Sequence, residues 1–460
     1  KFHGGYDYFP EGMRKTLQMA PYLNGGLFTR NDLDEQYARK LTITDERFEQ
    51  TITFLEHYNF TVSEDTPLDQ EVAVDAEMLG KVYESLVNVT EEKTNEEGTK
   101  KKGSDKKKEA GIFYTPRTEI DMMCRLAVVD YLANHLGETH KSLLYEMVFA
   151  YSLEDKATAD HKLTNHDLWG KLDALLQNIT VVDPACGSGS FLIGMMQVLD
   201  DLIQRADTVL GRRQTPYERR KRIIGQSLYG VDVMRWAVDV AELRLWLQLV
   251  VETELKPAEL KLNPLLPNLT FKIRRGDSLV QELGGINMAH IKGQQTIPIA
   301  LKGRLTRLKG EKLKFYNNDF DPEFKKLNDI EREEREIFLD ILKERKHALE
   351  NRLKERKRAL ATDTDLLGVT VKGFDSKPHT DVEAEAVDIE ADILRTKKAL
   401  NALSGTKECP FVWDIAFVEI FTGERAGFDI VIGNPPYVRH EQIADPMLDR
   451  EESAPESKTV

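Results

Sequence analysis

Apolar and polar positions follow two rhythms along this chain, and each change of rhythm marks a new part. Residues 32 to 90 carry helical spacing, with Phe48, Ile52 and Leu55 and then Met78, Leu79, Val82 and Leu86, broken by the turn-like TVSEDTP at 61–67. They predict a small, mainly helical N-terminal domain. The stretch EEKTNEEGTKKKGSDKKKEAG (91–111) has no apolar residue before Ala110 and reads as a lysine-rich linker, either solvated or placed to meet phosphate. From 111 to 300 short apolar runs alternate with helical ones. NITVVDPA (178–185), SLYGVDV (227–233) and LTFKIRRGDSL (269–279) predict strands, while SFLIGMMQVLDDLI (190–203) and MRWAVDVAELRLWLQLVV (234–251) predict helices. That alternation is the mark of a parallel sheet covered on both faces. Between 301 and 404 the chain is highly charged, with Phe338, Leu342, Leu349, Leu353 and Leu360 on one helical stripe and a second helix around Val387 to Leu403. A helical arm inserted into the sheet domain is expected there. After Trp413 the strand pattern returns and ends in FDIVIG (428–433), directly before NPPYVRHE (434–441). The expected division is 1–110, 111–300, 301–404, 405–443 and a polar tail, 444–460.

Composition narrows the class. The chain has 460 residues, of which 41% are apolar, enough for two or three domains with at least one sizeable core. It contains no apolar run long enough for a bilayer and no signal-peptide pattern at Lys1, so no membrane role is expected. Cys124, Cys186 and Cys409 are far apart and form no CxxC pair, which indicates neither a disulfide framework nor a metal site and fits a reducing cytoplasm. A formal charge of −14 argues against a surface that is basic all over, so any contact with a polyanion is local.

The chemistry gathers at predicted strand ends. In VVDPACGSGSF (181–191), Asp183 ends an apolar strand, and Gly187 and Gly189 occupy the turn into a helix, where doubly wound folds bind nucleotides. No Gly-Lys-Ser/Thr follows, so this is not a triphosphate loop. A carboxylate in that position suits a cationic nucleoside such as S-adenosylmethionine. Asp232, in YGVDV, ends the next strand, where it could accept from ribose hydroxyls or simply cap a turn. It lies further on than the roughly 20 residues of a minimal dinucleotide fold; the basic helical stretch GRRQTPYERRKR (211–222) fills the excess. Asp277, in RRGDSL, follows a third strand and could accept from an adenine amino group, or cap its own loop. In NPPY, each proline restricts the residue before it to extended backbone, which fixes the Asn434 side-chain oxygen and the Pro435 carbonyl as two rigid acceptors. Two such acceptors could take both hydrogens of one exocyclic amine, and Tyr437 offers a face on which a flipped base could stack.

The set DPACGSGSF, GIFYTP (111–116), RRGDSL and GNPPY resembles the motifs of adenine-N6 DNA methyltransferases in the gamma order. LNGGLF (23–28), EMLGKVYESLV (77–87) and GFDIVIGNPPYVRHEQI (427–443) further resemble the large methyltransferase chains of type IIG restriction-modification and phage-exclusion systems. The resemblance implies an α/β, Rossmann-like methyltransferase sheet with an N-terminal helical domain and a charged helical insertion. It implies S-adenosylmethionine as cofactor and double-stranded DNA with a flipped adenine as partner, with a nuclease or another defence-system subunit or fused domain alongside. By the same resemblance Phe113, Tyr114 and Thr115 would line the methionine end of the cofactor, above Asp183, Ala185, Cys186, Gly187 and Gly189. Asp232 would hold the ribose, Asp277 and Ser278 the adenine, and Asn434, Pro435, Pro436 and Tyr437 would form the catalytic loop. Cys186 is expected to pack rather than react, since no histidine shares its motif and methyl transfer to an amine needs no covalent enzyme intermediate.

The family continues past NPPY with further strands and a domain that reads DNA sequence, whereas this chain ends in DPMLDREESAPESKTV, so a fragment is expected. No PD…ExK-type nuclease signature stands out in residues 1 to 110. NPPY also occurs in RNA and protein-glutamine methyltransferases, and a non-catalytic cofactor-binding scaffold would retain the same sheet; both remain alternatives to a DNA methyltransferase.

Overall fold

The structure, a computed structural model, describes residues 44–55, 59–60, 73–74, 115–250, 267–280, 282–283, 286–287, 299–317, 324, 327–362, 379–405, 410–421 and 427–435. Its elements fall into two compact units. One comprises Leu27–Leu255 with Asp429–Val460, and the other Lys256–Phe428 with Lys1–Gly26. Of the stretch expected to be mainly helical, the described part holds one helix, α1 (Asp45–Leu55), and the strands β1 (Asn59–Phe60) and β2 (Ala73–Val74), paired in parallel. The lysine-rich linker lies outside the described residues.

The first unit is helix-rich around a small parallel sheet. Helices α2 (Arg117–Leu136), α3 (Lys141–Val148), α4 (Leu153–Asn165) and α5 (Trp169–Asn178) lead into β3 (Val181–Asp183). Then come α6 (Ser190–Val209), α7 (Pro216–Arg222), β4 (Leu228–Asp232) and α8 (Arg235–Val250). The chain returns to this unit at β8 (Ile430–Val431). Within the unit β4, β3 and β8 lie side by side in that order and run parallel. Val181, Val182 and Asp183 are all buried, as a strand covered on both faces demands. Local chemistry sets several boundaries. Ser152 caps α4 by accepting the Asp155 N–H, and Thr215 and Glu218 form a capping box at α7 with Pro216 in its first turn. Helix α6 buries Phe191, Leu192, Met195, Met196, Leu199 and Leu202, and α8 buries Leu245, Trp246 and Leu249. Each such side chain contributes about 1.5–3 kcal/mol on leaving water.

The second unit begins with β5 (Ile273–Arg275), β6 (Glu282–Leu283) and β7 (Ile286–Asn287), the last two antiparallel. It continues with long helices, α9 (Ile299–Asn317), α10 (Leu327–Thr362) and α11 (His379–Gly405), and two single-turn helices, α12 (Trp413–Ala416) and α13 (Val418–Phe421). Two residues of the expected apolar stripe, Phe338 and Leu342, join Leu301, Leu305, Leu308, Ala399 and Leu403 in one core. At its edge Glu334 is fully buried between Lys312, 2.6 Å away, and Arg274, 2.8 Å away. Burial alone would raise this carboxyl; the two cations hold it below the usual carboxylate range. Among the described residues no helix is long and apolar enough to cross a membrane.

Candidate active site

The C-terminal ends of β3, β4 and β8 carry the residues that the sequence singles out. The backbone leaves β3 at Asp183, turns through Pro184–Gly189 and enters α6 at Ser190. Both glycines have left-handed backbones, with φ +51° at Gly187 and +82° at Gly189. At Gly189 a second constraint operates, because an added Cβ would sit 3.0 Å from Cβ of Ala241 on α8. Small side chains at both positions let α8 lie against the turn.

Three contacts hold the turn from the neighbouring strand and helix. The Cys186 N–H donates to the Val231 carbonyl at 2.9 Å, and the Gly187 N–H donates to Asp232 Oδ2 at 2.9 Å. Asp232 also accepts the Met234 N–H through Oδ1 at 2.8 Å, so it clamps the turn to the start of α8. Arg244, 3% exposed on α8, donates through Nη1 to the Ser188 carbonyl at 2.7 Å, to Ser188 Oγ at 2.9 Å and to Ser190 Oγ at 3.0 Å. In the sequence Arg244 shows only as a charge between Leu243 and Leu245, one helical turn beyond Val240, where a buried cation needs a partner.

Asp183 is 1% exposed and its Oδ1 accepts the Ala185 N–H at 3.0 Å. Burial pushes its carboxyl up to about 7; the Ala185 N–H opposes this, and the negative charge of Asp232 adds to it. Asp232 is raised for the same first reason, eased by its two backbone donors. Glu242, beside Arg244 on α8, is pushed up to about 8 by burial and by Asp239, against Arg235, and its Oε1 is buried without a hydrogen-bond partner among the described residues. Carboxyl groups held out of water in this way lower their free energy when a cation arrives. The Cys186 thiol is raised well above its ordinary value, by burial first and then by Asp183 and Asp232, and its Sγ faces the Gly187 carbonyl at 3.8 Å. Such a shift disfavours the thiolate that a nucleophilic role would need.

The second half of the site arrives on β8. Val181 and Val182 pair with Ile430 and Val431, and the Ile432 N–H donates to the Val182 carbonyl at 2.9 Å. Asp429 fixes the register, its Oδ2 accepting the Thr180 N–H and hydroxyl, each at 2.9 Å. This brings Gly433 flush against Asp183, where an added Cβ would collide with Asp183 Oδ1. Asn434 follows at once, and its Nδ2 donates to Thr115 Oγ1 at 3.0 Å.

Thr115, Asp183, Ala185, Cys186, Gly187, Gly189, Asp232, Asn434 and Pro435 therefore share one unit, gathered by these contacts. Asp277 and Ser278 belong to the other. There Asp277 Oδ1 accepts the N–H groups of Leu279 and Val280, both at 2.9 Å, and the Trp413 indole N–H donates to the Ser278 carbonyl at 3.1 Å. Phe411 packs so closely on Gly276 that no side chain fits there, so the RRGDSL turn rests on an aromatic floor. Phe113, Tyr114, Pro436 and Tyr437 lie outside the described residues.

A parallel sheet with a glycine turn at one strand end and Asn-Pro at the end of the adjacent strand accords with two family matches. Residues 157–293 match the DNA-methyltransferase domain of MmeI, and residues 226–459 match the Eco57I restriction-modification methylases. The class is thus that of the DNA methyltransferases of restriction-modification systems. Within it, the chain belongs to the Eco57I restriction-modification methylase family. It is 28% identical over 435 residues to a Methanocaldococcus jannaschii protein named as an inferred type II restriction enzyme and methyltransferase, a match covering 91% of this chain and 34% of that protein. The chain therefore spans about a third of the length of that relative.

Proposed function

We propose that this chain is the catalytic module of a DNA methyltransferase that transfers a methyl group from S-adenosylmethionine to N6 of a flipped adenine, within a restriction-modification or phage-defence system in the cytoplasm. One observation carries the reading. The strand that leads to Asn434 and Pro435 lies directly beside the strand ending in Asp183, so a proposed acceptor pair and a cation-favouring carboxylate lie at the same end of one parallel sheet. Ligands of open α/β sheets bind at that end.

The residues present fit the cofactor. Its positive charge suits the buried, proton-hungry carboxyls of Asp183, Asp232 and Glu242. Bare backbone at Gly187 leaves room for close approach, since nothing lies within 4 Å of where its Cβ would be. Asp183, Ala185, Cys186, Gly187 and Gly189 would form the floor, and Phe113 and Tyr114 the methionine end. Asp232 would meet the ribose. When bound, S-adenosylmethionine would supply an electrophilic methyl group carried on a sulfonium.

The chain's own groups prepare the amine. Asn434 Oδ1 and the Pro435 carbonyl each accept one N6 hydrogen, which draws the lone pair out of conjugation with the ring and turns it towards the methyl carbon. Held in place beforehand, they spend no reorganisation at the moment of reaction. The proton shed from N6 leaves along one of these acceptors to water. Pro436 stiffens the loop, and Tyr437 stacks under the extruded base. A nuclease in the same system would cut unmethylated DNA.

The test incubates the protein at its natural length with methyl-labelled cofactor and separate DNA, RNA and protein pools. Label is expected in DNA as N6-methyladenine, and Asn434→Ala is expected to abolish it while cofactor still binds. Label in RNA or protein, or an Asn434→Ala rate equal to wild type, would overturn the reading.

A further inference from the structure

The bond between Asn434 Nδ2 and Thr115 Oγ1 joins residues 319 positions apart, and nothing in the assigned roles uses it. An asparagine amide turns about a broad, two-fold torsion and can present either its NH2 or its carbonyl to a given direction. Only the carbonyl can accept a hydrogen from an amine. A partner that engages the NH2 side therefore decides which face of the amide is directed at the substrate.

Thr115 is well placed to be that partner. It precedes Pro116, which confines it to extended backbone, and Pro116 is itself extended at φ −60°, ψ 154°. The first bond of α2 starts there, from the Ile120 N–H to the Pro116 carbonyl at 3.1 Å. Helix α2 is in turn seated tightly on α6: a Cβ added at Gly194 would lie 2.5 Å from Ile120 Cγ2, and Cys124 Sγ donates to the Phe191 carbonyl at 3.8 Å. The threonine hydroxyl thus stands on a helix packed against the same α6 that begins at the glycine turn. Gly433, pressed against Asp183, fixes the other side of Asn434.

We propose that Thr115 is a positioning residue for methyl transfer, whose hydroxyl holds the Asn434 amide with its carbonyl towards the substrate amine. This role differs from lining the methionine end of the cofactor, and it rests on Asn434 being the amine acceptor. A hydroxyl lost at Thr115 would remove this restraint on the amide, and small misplacements of a reacting group cost up to about 100-fold in rate.

The experiment measures single-turnover DNA methylation and cofactor affinity by calorimetry in the natural-length protein. Its variants are Thr115→Val, Thr115→Ser, Asn434→Ala and the double variant Thr115→Val/Asn434→Ala. Thr115→Val, of equal shape without the hydroxyl, is expected to lower the rate at saturating cofactor about 10- to 100-fold while cofactor Kd changes less than about threefold. Thr115→Ser is expected to recover most of the rate, and Thr115→Val is expected to do no further harm when Asn434 is already alanine. A weakened cofactor Kd with the full rate restored at saturation would return Thr115 to the cofactor site and overturn the inference, as would an unchanged rate in Thr115→Val beside an inactive Asn434→Ala. Should Asn434→Ala itself methylate normally, the acceptor reading fails first and takes this one with it. If Thr115→Val does not fold, Thr115→Ser decides: a serine rate as low as that of Asn434→Ala, in a folded protein, contradicts the hydroxyl's role.

Discussion

Gly433 has no side chain because Asp183 stands where a Cβ would be. Gly433→Ala is expected to push β8 away from β3, costing about 1–3 kcal/mol as overpacking does and displacing Asn434. Its unfolding midpoint should drop modestly and its methylation rate far more, whereas equal losses would mean that only the fold is affected. The carboxyls nearby set a pH dependence. Asp183, at about 7, and Glu242, at about 8, both titrate above their ordinary values of 3.8 and 4.5 in the folded chain. The folded state therefore holds more protons than the unfolded one between those limits. The stability these two groups contribute is complete below pH about 4 and is lost as pH rises towards 7 to 8. A bound cation reverses the sign by favouring the carboxylates. S-adenosylmethionine binding is expected to release protons and to tighten between pH 6 and 8, as seen by calorimetry in buffers of different ionisation enthalpy. Asp183→Asn should flatten that slope; a slope unchanged in Asp183→Asn would remove this carboxyl from the linkage. The glycine turn and the Asn-Pro pair were legible because each is a short local pattern. The Thr115–Asn434 bond was not, because side chains 319 positions apart leave no local trace.

Among the elements, β3, β4, α6 and α8 lie where the apolar rhythm puts them, since fully buried strands and helices read as near-continuous apolar runs. β8 is only two residues long, yet its register is secured by Asp429 bonded twice to Thr180. Arg244 ties α8 to the turn between β3 and α6. Arg244→Met keeps the packing of the stem and removes three hydrogen bonds. It is expected to weaken cofactor binding about 10-fold or more, on the scale of about 1.5–3 kcal/mol for hydrogen bonds to a charged group; unchanged affinity would show that the turn holds its shape alone. In the charged segment, the apolar stripe on α10 foretold a packed helix. The use of its charges was not legible from spacing. Glu334 is enclosed with Lys312 and Arg274, and Lys312 also donates to the Ile415 and Ala416 carbonyls at 3.1 and 2.9 Å. Glu334→Ala would remove the carboxylate that pairs with buried Lys312 and partly buried Arg274 and is expected to cost about 3–5 kcal/mol, measured by denaturant unfolding; a loss below about 1 kcal/mol would mean that water reaches the site.

At the level of the whole molecule, β8 pairs with β3, so the strand that ends in Asp183 and the strand that leads to Asn434 are neighbours in space though far apart in sequence. The order of motifs anticipated this meeting; the contacts that fasten it had to be seen. Central to the chemistry is the proposed role of Asn434 and Pro435 as acceptors for the substrate amine. The decisive measurement is base-resolved methylation mapping of DNA from cells expressing the natural-length protein, with Asn434→Ala alongside. N6-methyladenine at one recurring sequence, absent with Asn434→Ala, is the predicted result. Modified cytosine, no modified base, or a mark that survives Asn434→Ala would contradict it.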